Sequence, residues 1–319
     1  MASYVLRRVS QAVPIAVLTS LVVFLMLHLA PGDPVVIILS AKPQAYTQEE
    51  FDRVEKSLGL DKPLAVQYVT WLGDVVRGDF GESFYLRREI RGLLVQRMEA
   101  TLFLAFGALI FSLPVGILGG VVSSMKRGSI LDRTINAVVV AGVAVPTFAL
   151  GLFLIVLFGL KIELLPVGGM TSFGDGGVVD RLRHLVLPAI SLGVGPAAII
   201  ARLTRSAMLE VLNQDYVRTA RAKGLRNAIV VRRHAFRNVL IPVITVIGLQ
   251  VGFLLGGAVL VEVVFSWPGM GQMIVNGIQQ RDFPVVQAGV LVVSLAFIVT
   301  NLVVDVLYAV VDPRIRHSR

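Results

Sequence analysis

The sequence predicts an all-α polytopic membrane protein with six transmembrane helices in one membrane domain, and three observations carry that prediction. The 319 residues are 55% hydrophobic and only 16% charged, whereas an ordinary soluble domain carries about 25% charged residues to cover its surface. Six apolar stretches lie along the whole chain, each near the roughly 20 residues a helix needs to cross a bilayer. Lysine and arginine gather in alternate connecting segments, as the positive-inside bias of membrane proteins requires. That bias accounts for the net charge of +9 without nucleic acid. The absence of cysteine removes disulfide frameworks, thiolate metal sites and cysteine nucleophiles.

The first stretch, residues 9–30, follows Arg7 and Arg8 as a secretory leader would. Its roughly 22 residues exceed the core of about 7–15 in a signal peptide. It also ends in Ala30-Pro31-Gly32-Asp33-Pro34, a helix stop more than a cleavage site, so a retained span is expected. The other spans fall at 98–125, 134–160, 184–201, 239–262 and 285–311. Six crossings place both termini on one side. That side carries 17 Lys and Arg against four acids, and the opposite side 13 against 14, so the termini are expected in the cytoplasm. The chain divides into an N-terminal segment with the first span (1–30), an extracytoplasmic loop region (31–97) and a five-span core (98–319).

The 31–97 region is too long for a plain connector. Thr47-Gln48-Glu49-Glu50 fits a capping box, Gly59 a helix end, Pro63 the first turn of a second helix and Gly78 its terminator. Gly78-Asp79-Phe80-Gly81 reads as a turn. The loop is expected to form a small helical cap that either docks a substrate-carrying protein or covers the helix ends.

The 202–238 segment holds nine basic residues, and its order exceeds what a solvated loop needs. Asp215 is placed to cap a helix starting at Tyr216, and Gly224 to end it in the left-handed region. Asn227 is placed to cap a second helix, 228–237, with Pro242 in the first turn of the next span. Within the spans, Gly248, Gly252 and Gly256 line one face of the fifth. They serve either packing inside the chain or contact with another membrane subunit. Pro114, Pro146, Pro188 and Pro196 are expected to kink their spans. Glu262 and Asp305 are ionisable groups near span ends, and Gln250 and Asn301 are polar groups inside spans. All four are candidates for a pathway or gate, against simple interfacial hydration or interhelical bonding.

Asp215-Tyr216-Val217-Arg218-Thr219-Ala220-Arg221-Ala222-Lys223-Gly224, with Arg233-His234-Ala235 and Arg237-Asn238 before Ile241-Pro242, resembles the cytoplasmic loop of ABC-importer permeases. The similarity is to the dipeptide/oligopeptide (DppB/OppB-type) family. Further strings match in order along nearly the whole chain: His28 to Pro34, Gly78 to Gly81, Leu165-Pro166-Val167-Gly168-Gly169, Phe265-Ser266-Trp267-Pro268-Gly269-Met270-Gly271, Arg281 to Pro284 and Asp312-Pro313-Arg314. The wider group has Glu-Ala-Ala, three residues, then Gly; here Arg218 stands at the Glu position, so a Glu-mediated contact is not assumed.

The resemblance implies an ABC type I importer fold in a prokaryotic plasma (inner) membrane. It implies that Asp215, Tyr216, Arg218, Thr219, Ala220, Arg221, Ala222, Lys223 and Gly224 couple to an ATPase groove. It implies a second homologous permease, two ATPase subunits and an extracytoplasmic substrate-binding protein as partners. The small residues would allow close approach, and the arginines would pair with acids on the partner or with anionic lipid. No G-x-x-x-x-G-K-[ST] phosphate loop occurs, so ATP and Mg would belong to the partners, with no cofactor, metal or catalytic residue here. The implied cargo is dipeptides or oligopeptides; nickel chelates or glutathione-like compounds are the alternatives within the family. An ion-coupled secondary transporter would show repeats and buried mid-span charge, and an intramembrane hydrolase a nucleophile–base or metal constellation. The sequence offers neither.

Overall fold

The structure is a computed structural model, describing residues 2–29, 35–36, 39, 47–57, 59–172 and 176–311. The expected stop at 30–34 and the terminal Asp312-Pro313-Arg314 lie outside the described residues. Apolar stretches fold as helices because lipid offers no partner to a backbone N–H or C=O, and the described chain is a succession of helices with one isolated β-bridge, Glu82–Glu89. The long helices are α1 (Ala2–Leu29), α4 (Ile90–Met125), α7 (Gly177–Leu212), α10 (Phe236–Val264) and α12 (Phe283–Val311). Shorter ones are α2 (Gln48–Ser57), α3 (Leu64–Val76), α5 (Ile130–Ala144), α6 (Thr147–Leu154), α8 (Asp215–Ala222), α9 (Asn227–Ile229) and α11 (Met270–Gln279).

Five helices are long and apolar enough to cross a membrane, and the third expected span departs from that pattern. Residues 130–161 form two arms bent by 108°. Proline disfavours helical backbone in the residue before it, and Val145, at φ −79° and ψ 125°, is extended. Pro146 is therefore the cap of α6 rather than a kink within one span, and α6 runs on into a π-helical stretch, Ile155–Lys161. Pro114, Pro188 and Pro196 lie inside unbroken helices. Pro242 also lies inside α10, which begins at Phe236; the expected first-turn position is corrected.

α7 is the axis of the molecule. Of its apolar window 72% is buried, against 17% for α1 and α12. Its neighbour α4 crosses it with backbones nearly touching. A Cβ on Gly116 would lie 2.8 Å from the Ala197 carbonyl oxygen, and one on Gly120 would lie 2.5 Å from both the Ala201 oxygen and Thr204 Cβ. From the other side, a Cβ on Gly193 would lie 2.8 Å from the Ala108 oxygen. Small residues at such spacing bring membrane helices together by dispersion contacts. Among the long helices, the closest glycine-mediated crossing thus joins α4 to α7.

At the end of the molecule where α4 begins, α3 and the turn after it pack against the long helices. Thr47 and Glu50 exchange the two hydrogen bonds of a capping box, Glu50 N to Thr47 Oγ1 at 3.3 Å and Thr47 N to Glu50 Oε2 at 3.1 Å. Pro63 precedes α3 as its cap residue instead of occupying the first turn. α3 leans on α1 through Ser20 and Tyr68, whose hydroxyls lie 2.8 Å apart, and through His28 Nε2 and Gln67 Oε1 at 3.0 Å. The turn after α3 is pinned by Asp282, a buried carboxylate that accepts from the Ser83 hydroxyl and from Phe84 N at 3.1 Å.

Candidate coupling site

α7 ends at Leu212, and the chain turns through Asn213 and Gln214 into α8. The cap position belongs to Gln214, which makes no side-chain cap bond, so Asp215 is the first helical residue and not the cap. At the first turn its negative charge still complements the helix dipole. Gly224 has φ +76° and donates its N–H to Arg221 O at 2.9 Å, ending the helix as a left-handed glycine. Arg226, not Asn227, caps α9, and the expected second helix is broken by a π-helical turn, Val230–Ala235, that leads into α10.

α8 is amphipathic, and its two faces have separate tasks. Val217 and Ala220 are buried against Val230, with Val211 and Leu212 beside them. Asp215, Tyr216, Arg218, Thr219, Arg221, Ala222, Lys223 and Gly224 are exposed. Ala220 was expected on the contact face; it faces inward because it lies three residues from Val217, on the same side of the helix. Arg218 Nη1 and Asp215 Oδ1 are 3.5 Å apart and solvated, an ion pair of about 0–1 kcal/mol. The Tyr216 hydroxyl accepts from Asn238 Nδ2 at 2.9 Å, tying α8 to α10.

Behind α8 lies a polar junction that the sequence reading missed. Asp132, on α5, is buried. It receives Arg205 of α7 in a bidentate pair, Nε to Oδ1 at 2.9 Å and Nη2 to Oδ2 at 3.0 Å. Asn136 Nδ2 donates at 2.7 Å and Gly128 N at 2.9 Å. The Ser123 hydroxyl of α4 donates to the same carboxylate and accepts from Arg205 Nε at 2.9 Å. Three helices are thereby fixed at the end of the molecule from which α8 hangs. The available signal was Ser129-x-x-Asp132, a capping pattern in which Ser129 accepts from Asp132 N at 3.2 Å.

The four polar candidates for a pathway do not converge. Glu262 is fully buried and caps α11: its carboxyl accepts from Gly271 N at 2.7 Å, Gln272 N at 3.2 Å and the Thr101 hydroxyl at 2.6 Å. The Phe265–Gly271 string folds around it, with Trp267 Nε1 donating to Ala100 O at 2.9 Å and Gly169 N to Phe265 O at 2.8 Å. Gln250 is buried on α10, and its Oε1 has no hydrogen-bond partner among the described residues. Asn301 and Asp305 line a crevice of about 490 Å³ between α1, α10 and α12, which Gly256 also borders. Asp305 is paired there with Arg8 at 3.2 Å. Of the glycines, Gly248 and Gly252 are buried, and Gly252 faces Asn301 and Phe297 of α12, while Gly256 has open space beside it. The stripe is therefore divided between internal packing and a free surface. Among the described residues no cluster of three or more His, Asp or Glu is placed to hold a metal.

The chain matches two family descriptions: "Binding-protein-dependent transport system inner membrane component" over residues 112–317, and the N-terminal part of such components over residues 1–105. Among curated relatives, it is 45% identical to the di/tripeptide transport system permease protein DppB of Pseudomonas aeruginosa (strain UCBPP-PA14), covering all of both chains. It is 41% identical to the glutathione transport system permease protein GsiC of Shigella flexneri serotype 5b, again over all of both. Among solved structures, the inward-facing MetNI methionine ABC transporter aligns with a TM-score of 0.56 at 22% identity, covering 69% of this chain and 96% of that one. At that identity the likeness speaks to the fold alone.

Proposed function

This chain belongs to the family of binding-protein-dependent transport system inner membrane components, and on that footing we propose that it forms half of a translocation pathway for dipeptides and oligopeptides. As a permease of an ATP-driven importer it works beside other subunits. We assign it a second homologous permease, two ATPase subunits that bind ATP and Mg, and an extracytoplasmic binding protein. Both termini and α8 lie in the cytoplasm, and the α2–α3 cap lies outside, in keeping with 17 Lys and Arg on the side of the termini.

The observation that carries the reading is the divided face of α8. A helix held to its own chain by Val217 and Ala220, yet presenting Arg218, Thr219, Arg221 and Lys223 to solvent, is built to be gripped from outside. A partner groove lined by acids pairs with those arginines. Force on α8 passes through Asn213 into α7, and the Arg205–Asp132 junction carries it to α4 and α5.

Glutathione is the second cargo, favoured by the full-length match to a glutathione permease. Reconstituting the four-component complex in vesicles, with ATP on the ATPase side and binding protein on the other, tests both. Uptake of a labelled dipeptide or of glutathione that needs ATP supports the assignment. Uptake by this chain alone on an ion gradient refutes it.

A further inference from the structure

The helix α3 is apolar, yet none of its 13 residues is buried. From Leu64 to Gly73 it carries no charge, and Asp74 is its one charged side chain. Val66, Val69, Gly73 and Val76 follow one another at helical spacing along one face. Val69 is 67% and Val76 79% exposed, and there is open space beside Gly73. A helix in water turns its apolar side chains inward, so this face calls for a cover. The opposite face shows at what height that cover lies. Tyr68 Oη and Ser20 Oγ are 2.8 Å apart, and His28 Nε2 and Gln67 Oε1 3.0 Å. The Phe24 ring meets those of Tyr68 and Trp71 at centroid distances of 5.4 and 5.7 Å.

One turn of α3 (Gln67, Tyr68, Trp71) thus meets two turns of α1 (Ser20, Phe24, His28). Helices that run side by side match turn for turn, so α3 crosses α1 steeply and lies near the plane of the membrane that α1 spans. Ser20 sits six residues inside the end of the apolar stretch Leu6–Met26, roughly 9 Å at the rise of an α-helix, and Phe24 is inside it too. The crossing therefore falls at the edge of the hydrocarbon and not above it. At that level α1 exposes Leu21, Val22, Leu25 and Met26, side chains that a spanning helix presents to lipid. Tyr68 and Trp71 are of the two residue types that favour this zone. We propose that α3 is an interfacial membrane helix, lying in the outer leaflet where headgroups meet acyl chains, with Val66, Val69 and Val76 against lipid. Asp61 and Lys62 before it, and the Asp74–Arg77 pair at its end, stay among water and headgroups. Lipid, and not the binding protein, covers its apolar face. The choice of the outer leaflet rests on the orientation proposed above; the depth does not.

Spin-label accessibility tests it. Val66→Cys, Val69→Cys and, ahead of the helix, Lys62→Cys are made singly in the cysteine-free chain and labelled with a nitroxide. The full chain is placed in nanodiscs of phosphatidylethanolamine and phosphatidylglycerol, alone and assembled with cysteine-free partner subunits. Relaxation of each label by oxygen, which concentrates in hydrocarbon, is compared with relaxation by water-soluble chromium oxalate. Oxygen is expected to dominate at positions 66 and 69 and chromium oxalate at 62, in both preparations. Chromium oxalate dominating at 66 and 69 shows a face that meets water, and loss of both effects on assembly shows a protein subunit covering it; either result overturns the interfacial helix. Lys62→Cys is also treated with a membrane-impermeant maleimide in intact cells, where labelling from outside is expected. Labelling only after lysis overturns the outer-leaflet placement and the orientation with it, while the depth read by the spin labels stands.

Discussion

Gly120→Ala places a methyl group where α4 and α7 have no room. The added Cβ lies 2.5 Å from Ala201 O and from Thr204 Cβ, and 3.0 Å from Arg205 N. Two of these are backbone atoms, which no rotamer change removes. Ordinary contact begins near 3.5 Å, so the helices must part by about 1 Å along this turn. Overpacking of that kind costs about 1–3 kcal/mol, offset by the ~0.5–1 kcal/mol that alanine gains over glycine in a helix. A net loss of about 1–2 kcal/mol is expected, with added strain on the Arg205–Asp132 pair one residue away. Gly256→Ala is the control, because nothing lies within 4 Å of its would-be Cβ, and the single chain should tolerate it or gain slightly. Thermal inactivation in detergent, followed by the monodisperse fraction on size exclusion, reads both. If Gly120→Ala is as stable as wild type, or Gly256→Ala is the more damaging of the two, the α4–α7 crossing is not the tight contact described here.

Three other outcomes follow from the same contacts. Gly224→Val leaves the chain inserted but uncouples ATP hydrolysis from uptake in the assembled complex, because valine resists φ +76°; normal coupling by this variant contradicts the α8 geometry. Asp132→Asn lowers transport per ATP hydrolysed about tenfold through loss of the charge-assisted pair. The exchange Asp132→Arg with Arg205→Asp restores part of it; no restoration means that the charges do not act as a pair. Glu262→Gln lowers stability by about 1–2 kcal/mol by weakening the cap on α11 and leaves substrate preference unaltered; a changed substrate range with unchanged stability would return Glu262 to the pathway.

Much of this architecture was legible because its signals are local. The capping box of Thr47 and Glu50, the left-handed Gly224 and the apolar spans each depend on residues a few positions apart. The break at Pro146 was visible as a proline, yet its 108° bend was not, since proline inside a span either kinks it or ends it according to what packs around it. Long-range pairs were the least legible. Asp132 and Arg205 are separated by 73 positions, and each reads singly as a loop or span-end charge. Sequence left Glu262 between a pathway group and an interfacial one, because it gives depth in a span but not the amides of Gly271 and Gln272 folded back onto the carboxyl. The α10 glycines and the Gly116–Gly120 pair share a spacing, and only packing shows that the second is the closer crossing.

The most direct test is site-specific cross-linking, which the cysteine-free chain makes clean. Cysteine is introduced singly at Arg218 and Arg221 on the exposed face of α8, and at Val217 on its buried face, in the complex assembled with its ATPases. The first two are expected to cross-link to an ATPase subunit in a nucleotide-dependent yield, and Val217→Cys to give none. Cross-linking from Val217→Cys alone, or labelling of Arg218→Cys by an impermeant reagent from outside intact cells, would contradict the account.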